Sequence, residues 1–108
     1  MNGKSTFRED FAWFVKETGE TPTHIAFGTM DGWPDDNWPG IKPGELIAFD
    51  AIPDSVLDRI YGTSFGVQEC PSYYAWSENW VAVLSEYDGA TSMVIIPRHP
   101  VAGEVEHV

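Results

Sequence analysis

The chain has 108 residues, 43% of them hydrophobic and 14% aromatic, which fits one globular domain with its own core and excludes a disordered chain, since disordered chains are poor in aromatics. Seventeen Asp and Glu stand against six Lys and Arg, for a net charge of −11. That balance gives the electrostatic term of nucleic-acid binding the wrong sign and disfavours anionic membranes, while it steers a basic partner inward.

Thr6 followed by Glu9 is a capping-box signature. Phe7, Phe11, Phe14 and Val15 recur at i, i+4, i+7 and i+8 behind it. The spacing predicts a helix with one apolar face, with Trp13 off the stripe and Gly19 as the stop. Thr23 to Thr29 alternates as a strand, with Ile25 and Phe27 on one side and His24, Ala26 and Gly28 on the other. From Met30 to Gly44 no period survives. Three Gly, three Pro, two Trp and three Asp make this a long loop, and long loops in compact domains are usually functional or disordered. Glu45 to Asp50 reads as a second strand. Its run Leu46-Ile47-Ala48-Phe49 is apolar on both faces, which predicts a covered, central position.

A short helix is expected next. Pro53 or Asp54 opens it, Val56, Leu57, Ile60 and Tyr61 give its apolar side, and Gly62 closes it. Thr63 to Cys70 is ambiguous, and Pro71 breaks whatever it forms. Trp80 to Tyr87 and Ala90 to Ile96 flank Asp88-Gly89, a type I′ hairpin signal. A two-residue turn fixes the register, setting Val83 opposite Val94 and Leu84 opposite Met93. Tyr73 to Trp76 adds a preceding strand. Residues 101–108 read as a loose tail. The expected fold is a single α+β domain over 1–108, with an antiparallel sheet of about four to five strands and two helices packed on one face. One face of the hairpin should meet the helices; the other meets the loop or a partner.

Cys70 is the single cysteine, so no intrachain disulfide can form, which fits a reducing compartment. No apolar signal core follows Met1 and no run of about 18 apolar residues occurs, so the expected address is the cytoplasm of the producing cell or of a host cell, with no membrane contact.

Four constellations could carry chemistry. Asp31-Gly32-Trp33-Pro34-Asp35-Asp36-Asn37-Trp38-Pro39 holds two Trp-Pro pairs five residues apart with acids between. Proline stiffens the backbone, so each indole could be displayed at low entropic cost as an interface anchor. Both indoles could instead fold back as a lid over the core. The same acids offer hard oxygen ligands, but the spacing is not that of a calcium loop, and no metal or cofactor is expected. Glu69, Glu78 and Glu86 flank aromatic segments, as a glycosidase would need, yet carboxylate pairs are inevitable among seventeen. Cys70 with His24 or His99 lacks a nucleophile context. No catalytic residue is assigned.

The acids concentrate in the middle of the chain. From Glu17 to Arg59 there are nine (Glu17, Glu20, Asp31, Asp35, Asp36, Glu45, Asp50, Asp54, Asp58) against Lys42 and Arg59. The expected function is that of an acidic binding module occupying a basic protein partner, such as a nucleic-acid-handling protein or complex, without touching nucleic acid itself. The expected contact residues are Asp31, Trp33, Asp35, Asp36, Trp38, Asp50, Asp54 and Asp58. Phage-encoded inhibitors of restriction or CRISPR systems and immunity partners of nuclease toxins share this profile. The likeness is one of kind, carried by no motif. A small-ligand or carbohydrate module built on the Trp-Pro loop is the alternative, and a small acid–base hydrolase the second. The chain would act as a monomer or as a homodimer.

Overall fold

A computed structural model of the chain describes residues 3–28, 38, 40–64, 66, 68–87 and 90–100. Asp31, Trp33, Asp35 and Asp36, the Asp88-Gly89 turn and the tail 101–108 lie outside the described residues. The architecture is α+β, with a five-stranded antiparallel sheet, a two-stranded sheet and two helices.

A short strand β1 (Lys4–Ser5) leads into helix α1 (Phe7–Thr18). The Thr6 hydroxyl accepts the Glu9 N–H at 3.1 Å and so satisfies one of the donors left free at a helix start. At the other end Gly19 adopts φ +74° and donates its N–H to the Val15 carbonyl at 2.8 Å. That left-handed conformation suits glycine. Phe7, Phe11 and Phe14 are buried. Val15, at the margin of the stripe, stays 38% exposed, and Trp13 stays 43% exposed.

The large sheet has the order β3-β2-β5-β6-β7, with β2 at His24–Phe27, β3 at Leu46–Ala48, β5 at Tyr73–Trp76, β6 at Trp80–Tyr87 and β7 at Ala90–Pro97. Every neighbouring pair is antiparallel. Val83 faces Val94 and Leu84 faces Met93, the register the turn predicts. Ile25, Phe27, Tyr73, Ala75, Ala82 and Leu84 form the buried inner face. The paired small residues Ala75 and Ala82 leave volume for the phenyl rings of α1. Phe7 is the hub of this core, with ring centroids 5.3–5.6 Å from Phe27, Trp38, Tyr61 and Tyr73. Packing of that kind is where aromatic side chains contribute beyond their buried area.

Two expectations are corrected. Among the described residues the segment around Leu46 is an edge strand, not a central one: β3 pairs only with β2, and Leu46 is 60% exposed. The apolar run misled because Phe49 leaves the strand. It begins a 3-10 turn (Phe49–Ala51) and packs its ring 5.0 Å from Phe11. The second helix, α2 (Asp54–Leu57), ends well before Gly62. Tyr61 and Gly62 form a short strand, β4, antiparallel to β1, and Ile60 is 57% exposed. Pairing with Lys4 and Ser5 satisfies backbone groups that a longer helix would have used internally.

Candidate partner-binding surface

The expected contact residues divide into three groups. Asp31, Trp33, Asp35 and Asp36 lie outside the described residues. Trp38 sits in the core at 5% exposure. Its indole N–H donates to the Glu69 carbonyl at 3.1 Å, its ring lies against Phe7 and Tyr61, and the Arg59 guanidinium stands 4.4 Å over its face. Its indole is therefore not displayed to solvent. Burial is favourable because the ring completes an apolar cluster and its polar N–H still finds an acceptor.

Asp50, Asp54 and Asp58 form the third group and are all exposed. Asp50 is in the 3-10 turn. Asp54 opens α2, and Asp58 caps it one turn later, so both can meet one cation from α1. That cation is Arg8. It holds Asp58 with two bonds, Nε to Oδ1 at 2.5 Å and Nη2 to Oδ2 at 3.2 Å, and reaches Asp54 Oδ1 at 2.9 Å. Hydrogen bonding to Arg8 holds the Asp58 carboxyl below the usual carboxylate range. The same two carboxylates raise the guanidinium further above its already high value. One cation against Asp50, Asp54 and Asp58 leaves a net negative rim.

Between α1 and the Phe49–Leu57 segment lies an apolar groove of about 150 Å³, which none of the three aspartates lines. Phe11, Ala12, Val15, Phe49 and Leu57 line it, and Arg8 stands at one end. It is smaller than the roughly 300 Å³ at which small-molecule sites begin, and its size suits one side chain.

The remaining candidates take structural positions. Cys70 is fully buried, and burial first, then the nearby Asp10 charge, push its thiol up to about 12, so it stays protonated at neutral pH. His24 and His99 are exposed. Glu69 accepts the Gly62 N–H at 3.0 Å and Glu78 is exposed. Among the described residues, no group of three or more His, Cys, Asp or Glu is placed to hold a metal ion.

Three residues gave no signal in the sequence. Arg8 has partners 46 and 50 positions away. Glu20 accepts from the Ser77 hydroxyl at 2.6 Å and from the Asn79 backbone and side chain at 3.0 and 2.8 Å, tying the β5–β6 turn to the end of α1. Those bonds hold its carboxyl below the usual range. Half-buried Asp10 accepts from the Ser5 hydroxyl at 2.6 Å and from the Tyr61 hydroxyl. Burial nevertheless dominates and raises its carboxyl above the usual value. Comparison of the chain with protein-family models, with curated proteins and with solved structures finds no match.

Proposed function

We propose that this protein is an acidic binding module that occupies a basic surface on a partner protein, of the kind found on proteins that handle nucleic acid, and so blocks it. The observation that supports the reading is an apolar groove the size of one side chain whose lining residue Arg8 is bonded to the exposed Asp54 and Asp58, with exposed Asp50 in the preceding turn. A Lys or Arg side chain has the matching build. Its aliphatic stem would lie along Phe11, Val15 and Leu57, and its charged head would reach the aspartates. The wider excess of negative charge would accelerate the encounter without specifying it. Asp31, Trp33, Asp35 and Asp36 belong to the same acidic stretch of sequence and are proposed as further contacts to the same partner. The carbohydrate reading loses support from Trp38, whose ring is enclosed by Phe7, Tyr61 and Arg59.

The test is affinity capture from source-cell extract with the intact protein, beside two variants, Asp50→Asn/Asp54→Asn/Asp58→Asn and Asp31→Asn/Asp35→Asn/Asp36→Asn. Circular dichroism checks that each variant folds. A basic protein retained by the wild type and lost by the first variant supports the reading. Retention of the same protein by both variants, or of no basic protein at all, sinks it.

A further inference from the structure

We infer that the sheet face turned away from the helices is a self-association surface, on which a second copy of this chain packs face to face. The outer positions are set by the strand register: Ala26, Tyr74, Val83 and Val94 form one cross-strand row and His24, Trp76, Val81 and Ile96 the next, with Leu46 beyond Ala26 on the edge. Among the described residues no element packs over this face. Tyr74 is 55% and Leu46 60% exposed, and the Tyr74 and Trp76 rings lie 6.2 Å apart as an open aromatic pair.

Charge selects the occupant. No Asp, Glu, Lys or Arg stands at any outer position of these five strands, in a chain with seventeen acids and a net charge of −11. A basic partner finds nothing to pair with there. A second copy needs no opposite charge, because an isologous contact asks only that one patch complement itself. The patch has relief for that: the projecting Tyr74 ring borders a groove of about 440 Å³ that outer-row Ala26 and Val83 line together with the inner-face residues Phe27, Tyr73 and Leu84. A two-fold axis between knob and groove would seat each copy's Tyr74 in the other.

Size agrees. Five strands about 4.8 Å apart and roughly 17 Å long present a face of the order of 400 Å², and somewhat more accessible area once corrugated. Two such faces come to about 800 Å² before corrugation is counted, the size of a weak, reversible contact rather than an obligate one. Aligned sheets packed face to face at about 10 Å are a standard geometry. The edges are less suited. On β7 the outward amide of Thr91 is already bonded to the Thr63 carbonyl at 3.1 Å, and Pro97, on the same side of the strand, has no amide to offer.

The test is sedimentation equilibrium of the full chain at protein concentrations from about 1 μM to 1 mM, a range that brackets weak and moderate dimers, at low and high salt. The wild type is expected to move from 12.1 kDa to twice that mass. Dimerisation should tighten as salt rises, because each copy carries −11. Tyr74→Glu, at an exposed position that folding tolerates, should weaken it at least ten-fold. Val83→Lys should do the same, with both variants keeping the wild-type circular dichroism. A wild type that stays at 12.1 kDa throughout, or a dimer that Tyr74→Glu leaves intact, overturns the inference. So does a dimer that salt weakens.

Discussion

Trp38 shows how much one side chain can hold. It fills the space between Phe7 and Tyr61, closes it against Arg59 and ties its own loop to the Glu69 carbonyl. Trp38→Ala leaves a cavity and an orphaned carbonyl, so urea titration should show a loss of about 3–5 kcal/mol. Asp10 and Glu20 act in opposite directions as pH changes. The Asp10 carboxyl is raised in the folded chain, chiefly by burial and also by neighbouring Glu9, against the hydrogen bonds from Ser5 and Tyr61. The folded state therefore binds its proton more tightly than the unfolded state does. Its contribution is full below the ordinary carboxyl value and is lost as pH climbs through the raised one. Glu20 is lowered by its bonds to Ser77 and Asn79, so its contribution is present above the ordinary value and fades as pH falls through the lowered one. Melting curves against pH should lose the acid-side decline in Glu20→Gln. In Asp10→Asn they should lose the decline just above the ordinary carboxyl value. Unchanged profiles in both variants would mean that neither carboxyl is perturbed.

Among the elements, α1 and the β6–β7 hairpin were legible in the sequence because their determinants are local. Thr6 and Gly19 mark the ends of the helix, the phenylalanine spacing marks its face, and a two-residue turn sets the hairpin register. Gly19 lends itself to a direct test. Its φ of +74° disfavours any Cβ, although the space around it is open. Gly19→Ala should therefore cost about 1 kcal/mol in chemical denaturation through backbone conformation alone. The position of β3 was not legible, since Leu46 and Phe49 are apolar for different reasons: one is left exposed on an edge, while the other turns inward onto Phe11. Nor was the pairing of β5 with β2, such as Ile25 with Ala75, which no local pattern announces, although the place of β5 beside β6 follows from its position just before the hairpin. The candidate surface follows the same division. The excess of acids could be read directly, but the Arg8 clamp on Asp54 and Asp58 exists only after α1 and α2 meet. Two identical Trp-Pro pairs carry nothing to say which indole the rings of Phe7 and Tyr61 will enclose.

At the scale of the whole molecule, the two candidate surfaces differ in charge among the described residues. The acidic rim lies on the helical side, and the uncharged face lies on the other side of the sheet. Salt should separate the two binding modes. Partner association should slow as ionic strength rises, because steering is screened over about 10 Å at 0.1 M, whereas contact between two like-charged copies should be helped. Stopped-flow association rates at several salt concentrations give the first trend. An on-rate indifferent to salt would remove electrostatics from the account of partner binding. The lone thiol adds a use of its own. Cys70 is shut in the core and held as the neutral form by burial, so an alkylating reagent can reach it only in molecules that have opened. Each labelled chain then records one opening event. The labelling rate at low reagent excess would follow the equilibrium between closed and open forms, in native buffer and without denaturant. This chain carries a clock for its own unfolding.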